Sequence, residues 1–161
     1  MCFFALTACI DKGEDHLIRY DTAECIYFGN KNDTETGMFM LFLSASEQNF
    51  ICIQGYATLS SFSDFELDEG KWNPGTGESF GKAKTFVFGS LSGSTIQGSV
   101  YSDDVRTVLI NGGSFDVAIS GNSYTITTNF SGKIPNTNIS IDNIRSRFHG
   151  TIDFFDESDD D

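Results

Sequence analysis

The apolar and polar positions of this chain alternate in short runs, and no window sustains apolar residues at the i, i+3, i+4, i+7 spacing of an amphipathic helix. Period-two runs predict strands near 17–28, 38–45, 50–56, 61–67, 85–89, 96–101, 106–110, 114–120, 124–130, 139–142 and 147–155. Turn chemistry separates them. A polar connection spans 30–37, a Gly-rich loop with Pro74 spans 72–81, and Pro135 marks a third connection at 133–138. The sharpest local expectation is the hairpin in "GSFDVAISGNSYTITTNF". Gly121-Asn122 supplies the two-residue loop with Gly first that a type II′ turn requires. That turn sets Ile119 opposite Tyr124, Val117 opposite Ile126 and Phe115 opposite Thr128 on one face, with Asp116, Ala118, Thr125 and Thr127 on the other. A slip of one residue would send the whole apolar set to water.

The run "GMFMLFLSA" breaks the alternation, being apolar on both faces. A strand of that kind is expected to be central and covered on both sides. The reading is therefore an all-β chain: an antiparallel β-sandwich of about ten short strands. Sixteen Phe, sixteen Gly and only two Pro suit pleated, half-buried surfaces joined by tight turns. A length of 161 residues suits one domain with a real core, and neither a linker nor a repeat divides it. The formal charge of −13 argues against nucleic acid, whose binding depends on Lys and Arg displacing counterions, and against anionic membrane surfaces.

No apolar run reaches the roughly 20 residues of a membrane-spanning helix. Residues 1–8, uncharged, read as the remnant of a signal peptide. Leu6-Thr7-Ala8-Cys9 resembles the box cleaved just before the lipid-bearing cysteine of bacterial lipoproteins, which makes Cys9 the expected lipidation site. The acidic stretch that follows resembles the export signals of Bacteroidetes lipoproteins. The expected organisation is thus a signal remnant at 1–8, a flexible acidic tether at 9–16, one β-sandwich domain at 17–155 and a disordered acidic tail at 156–161.

The ordered series "AECIYFGN", "GMFMLFLSA", "FSDFELDEGKW", "TFVFGS", "GSVY", "INGGSFDVAISGNSYTITTNFSG" and "FHGTIDFF" resembles a group of uncharacterised Bacteroidetes cell-surface lipoproteins with a β-sandwich domain. The shared features are Phe28-Gly29, Gly98-Ser99 and the hairpin from Gly112 to Ile126. The chain departs from the group at "GKW", where members often carry "GTY". The resemblance implies an outer-membrane or cell-surface address and an architecture, with no reaction attached.

Chemistry-bearing constellations are sparse. His16 and His149 lie at opposite ends of the chain, and neither a G-x-S-x-G elbow, a phosphate loop nor zinc-spaced cysteines are present. Asp64, Glu66, Asp68 and Glu69 allow a carboxylate pair of the hydrolase kind but read more simply as the exposed face of a strand. The acidic tail, with Asp156, Glu157 and Asp159, lacks calcium-loop spacing; no metal and no cofactor are assigned. Cys25 and Cys52 can either pair, closing a loop of about 27 residues worth roughly 3 kcal/mol, or remain buried thiols. Asp21-Thr22-Ala23 resembles a Bacteroidetes O-glycosylation acceptor, with Thr22 as the modified residue.

Three functions follow from these features. The first is a lipid-anchored, non-catalytic binding or scaffold module for a glycan or a surface protein, acting through the loop at 72–81. In it Trp72 stacks on a sugar ring, or alternatively anchors its own loop to the core, and Asn73, Thr76 and Glu78 supply polar contacts. The second is a lipocalin-like carrier holding a small apolar ligand in a Phe-rich interior. The third is a hydrolase using carboxylates.

Overall fold

The structure, a computed structural model, describes residues 17–30, 35–47, 49–58, 66–93 and 106–158. It is all-β, with strands β1 (Ile18–Tyr20), β2 (Thr22–Gly29), β3 (Thr36–Ser46), β4 (Asn49–Thr58), β5 (Gly70–Pro74), β6 (Thr85–Gly93), β7 (Arg106–Ser120), β8 (Ser123–Lys133), β9 (Ser140–Gly150) and β10 (Asp153–Asp156). A single 3-10 turn, Gly77–Ser79, interrupts the β5–β6 connection. All ten strands belong to one sheet in the order β1-β9-β8-β7-β5-β6-β4-β3-β2-β10.

That sheet curls into a half-barrel, and one piece of chain supplies the strand at one end and the last but one at the other. β1 and β2 are separated only by Asp21; β1 pairs in parallel with β9, and β2 pairs antiparallel with β3 and in parallel with β10. The two-sheet sandwich expected from the sequence is therefore corrected to one curled sheet. The physical reason lies in β3. Its inward residues Phe39, Leu41 and Leu43 are fully buried, while Met38, Met40 and Phe42 face outward and are half-buried beside one another and their neighbours. Among the described residues no second sheet covers them.

The hairpin forms in the expected register, with Ile119 opposite Tyr124, Val117 opposite Ile126 and Phe115 opposite Thr128. Gly121 holds φ +59° at the first loop position, which only the II′ and I′ turns demand, and Asn122 stays at negative φ, which selects II′. The strands expected at 106–110 and 114–120 are one strand, β7, kinked by a bulge between Ile110 and Gly112. The strand expected at 96–101 and most of that at 61–67 lie outside the described residues; Glu66 and Leu67 are not in a strand. The tail is corrected in part. Asp156 ends β10, the Glu157 amide donates to the Tyr27 carbonyl at 2.8 Å, and the Ser158 amide donates to Asp156 Oδ1 at 2.9 Å.

One buried cluster fills the curl. Phe39, Trp72, Phe86, Phe115, Phe130 and Phe148 are its largest members. The rings of Phe39, Trp72, Phe86, Phe115 and Phe130 meet in the edge, tilted and stacked arrangements that aromatic quadrupoles favour, with centroids between 5.3 Å for Trp72–Phe115 and 6.4 Å for Phe115–Phe130.

Candidate functional site

The feature that organises one end of the molecule is β5, which the Gly- and Pro-marked sequence reads as loop. β6 and β7 pair directly only through Ser90–Gly93 and Arg106–Leu109. Further along they splay, and β5 enters as a wedge: Asn73 and Pro74 pair with Thr85 and Phe86, while Gly70, Lys71 and Trp72 pair with Val117, Asp116 and Phe115. Pro74 sits at the strand terminus, where its missing N–H costs no ladder bond.

The wedge carries Trp72 inward, so its availability for stacking on a sugar is corrected by its burial. The ring is 0% exposed, stacked on Phe115 at an interplanar angle of 13° and edge-on to Phe39 at 5.4 Å. Its indole Nε1–H donates to the Asp68 carbonyl at 3.0 Å, which satisfies the one polar group the burial would otherwise strand. The alternative reading, a tryptophan anchoring its own loop, matches this geometry.

The polar members of the predicted site are on the surface. Asn73, Thr76 and Glu78 are all exposed. The aromatic that accompanies them is Phe80, which the sequence reading passed over. It is 55% exposed, and one edge rests on Tyr56 at a centroid distance of 5.6 Å. Its signal in the sequence was its place in "GESFGK", an aromatic set between turn residues, where no core strand can claim it.

This loop is bonded along its length. The Gly75 amide donates to the Phe86 carbonyl at 2.8 Å, Ser79 Oγ donates to the Thr76 carbonyl at 2.8 Å, the Phe80 amide reaches the Gly77 carbonyl at 3.2 Å, and the Lys84 amide reaches the Tyr56 carbonyl at 2.9 Å. Two threonines tie it to the strands below: Thr36 Oγ1 donates to the Gly81 carbonyl and Thr85 Oγ1 to the Lys82 carbonyl, both at 2.6 Å. A shallow depression lined by Glu35, Thr36, Thr58, Phe80, Gly81 and Lys82 lies beside the ring. An exposed aromatic face on a fixed frame, with the acid Glu35, the base Lys82 and two threonines around it, can stack on a flat apolar ligand surface and hydrogen-bond its rim.

The carboxylates weighed for hydrolysis are engaged otherwise. Asp68 accepts from the Thr58 amide at 2.9 Å and from Thr58 Oγ1 at 2.7 Å, and Glu69 Oε1 accepts from the Ile119 amide at 3.2 Å. Both clamp the segment before β5 to the strands around it. Asp64 lies outside the described residues, and among the described residues no three metal-ligating side chains gather. Asp156, fully exposed, is held below the usual carboxylate range by its hydrogen bonds from Ser158. His149 is exposed, its Nδ1 2.8 Å from Thr125 Oγ1.

Cys25 and Cys52 are both free thiols. Cys25 pairs with Leu41 and Cys52 with Phe42, so the former points into the core and the latter out of it, and the sheet stands between them. Burial pushes the Cys25 thiol well above its ordinary pKa and raises that of Cys52. Thr22 is exposed on the outer face, its hydroxyl 2.7 Å from that of Ser44. Cys9 and His16 lie outside the described residues. In the interior, Tyr20 is 3% exposed and its hydroxyl has no hydrogen-bond partner.

Against this geometry, no protein family, curated protein or solved structure matches the chain.

Proposed function

We propose that this protein is a non-catalytic binding module, tethered to the outer membrane or cell surface by lipid on Cys9, that holds a glycan or a surface protein at the 75–84 loop. The observation that carries the reading is Phe80, an exposed ring on a loop whose backbone is fixed by hydrogen bonds at both ends. A loop already held in place loses little further freedom when a ligand arrives. Asn73, Thr76 and Glu78 remain the polar contacts, with Lys82 added to them. Stacking on one ring with a few hydrogen bonds gives weak single-site affinity, and many lipid-tethered copies on one surface convert weak sites into retention. Thr22, on the exposed face, is the position for O-linked glycan on the same reading.

Two experiments test it. Growth with labelled fatty acid should mark the wild-type protein and leave the Cys9→Ala variant unlabelled and soluble; absence of label in the wild type removes the tether. A glycan array probed with clustered protein should return a retained polymer, and a blank array together with no captured surface protein removes the binding role.

The carrier reading keeps one specific observation in its favour, the unpartnered Tyr20 hydroxyl inside a curled sheet. A buried hydroxyl left without a partner is costly, and a ligand or an internal water would satisfy it. Its weakness is the aromatic cluster that already occupies the described interior. Extraction of the protein from its native host followed by mass spectrometry should yield no stoichiometric apolar compound; recovery of one transfers the function to the interior.

A further inference from the structure

The outer surface of the sheet around β1 and β9 presents cations in an otherwise acidic molecule. The parallel pairing of these strands sets Arg19 directly beside Arg147. Cα atoms so paired on neighbouring strands lie about 4.8 Å apart with their side chains on the same face. Both arginines are exposed, whereas their sequence neighbours Ile18, Tyr20, Ser146 and Phe148 are buried. Arg145 and His149, two residues before and after Arg147, share that outward face, and Thr127, on β8, stands across from Arg147.

Like charges directly opposite on a sheet work against folding. The chain has 23 acidic and 10 basic residues, so a carboxylate is the commonest charged side chain it could have placed at either position. Yet neither Arg19 nor Arg147 has an ion-pair or hydrogen-bonding partner among the described residues. The nearest outward carboxylates along the rows, Asp21 on the same chain segment and Asp116 on β7 beyond Thr127, make no ion pair with them.

We propose that this arginine pair is a binding site for the carboxylates of an acidic polysaccharide, separate from the Phe80 loop. A planar guanidinium offers a fork of donors that matches a carboxylate, and two forks side by side hold one oxyanion from two directions or two along a chain. The neighbouring Thr127 and the Thr125–His149 pair add neutral hydrogen-bonding groups suited to sugar hydroxyls. The net charge of −13 selects among anions. A densely charged strand such as DNA is repelled by the rest of the surface, while a polymer with one carboxylate per sugar feels the local pair more than the distant field.

The test is affinity electrophoresis and titration of the full chain with polygalacturonate, unsubstituted dextran and a single-stranded DNA of equal total charge. Wild-type protein should be retarded by polygalacturonate alone, and Arg19→Gln/Arg147→Gln should bind it at least tenfold more weakly while melting at or above the wild-type temperature. Lys71→Gln/Lys133→Gln removes the same charge elsewhere and should retain binding. Failure of wild type to bind polygalacturonate, equal weakening in the two double variants, or DNA binding as tight as polygalacturonate overturns the proposal.

Discussion

The two halves of the curled sheet use the same inward alternation and opposite outward chemistry. On β7, β8 and β9 most outward positions are polar or charged, with Asp116 on β7, Thr125, Thr127 and Asn129 on β8, and Arg145, Arg147 and His149 on β9; Ala118 and the half-exposed Leu109 on β7 are the exceptions. On β10, β2, β3 and β4 one outward row runs Phe155, Ile26, Met40, Gln54, the next runs from exposed Asp153 and Glu24 to Phe42 and Cys52, and Phe50 lies in another. Phe155 is 47% exposed, and Ile26, Met40, Gln54, Phe42, Cys52 and Phe50 are half-buried. The inner layer is apolar in both halves apart from the buried, mutually hydrogen-bonded Thr128 and Ser146, so the difference lies chiefly in what each half shows to its surroundings. A strand's outward face is decided separately from its fold, and an apolar one signals contact surface as readily as a second layer of core.

The seam between the halves is Trp72, which touches Phe39 of β3 and Phe115 of β7. Trp72→Ala should therefore damage both together, at a cost of about 3–5 kcal/mol. Thermal unfolding followed by near-UV and far-UV circular dichroism checks this; one coincident transition at a lowered temperature is expected, and an unchanged transition would show that Trp72 does not join the halves.

A second probe is pH. Burial raises both the Tyr20 hydroxyl and the Cys25 thiol, because the folded interior disfavours their anions. The unfolded chain releases these protons at their ordinary pKa values and the native state holds them. The resulting stability is complete below the ordinary thiol range and is lost as pH rises above it, at about 1.4 kcal/mol per pH unit for each group. Denaturant titrations between neutral and strongly alkaline pH should show that fall, and the Tyr20→Phe/Cys25→Ala double variant should show less of it.

The polar half depends on Gly113, which sits at φ +102° where an added Cβ would collide with the Asn129 carbonyl oxygen. Gly113→Ala should cost more than about 1 kcal/mol, measured by urea unfolding, since both conformation and space oppose it. The smallest effect is expected on the outside of the apolar half. Phe42→Ser/Phe50→Ser should change stability by roughly 1 kcal/mol or less while lowering concentration-dependent association seen by light scattering. The same association in wild type and variant would show that this face is not the sticky one.

The comparison also explains what could be read in the sequence. The β7–β8 hairpin was legible to the residue, because its outward set carries no large apolar side chain and its turn carries Gly121. In "GMFMLFLSA" the alternation is absent, and an apolar outward face is indistinguishable in one dimension from a face under a second sheet. That ambiguity produced the sandwich expectation. β5 was hidden for another reason: five residues ending in Pro74 and bracketed by glycines carry the punctuation of a loop, although Gly70, Trp72 and Pro74 already alternate with exposed Lys71 and Asn73. The candidate site was half legible. Its polar residues were named and lie outward, but of the two aromatics near the loop the larger belonged to the core, and burial depends on the wedge between β6 and β7, which no local pattern announces.

On the proposed function, the ring offered to a ligand is Phe80 and not the buried Trp72. The direct test is titration of the polymer or surface protein retained by wild type against Phe80→Ala, with melting followed in parallel. Phe80→Ala should melt within a few degrees of wild type, as expected for an exposed side chain, and lose affinity at least tenfold. Undiminished binding by Phe80→Ala would contradict this reading.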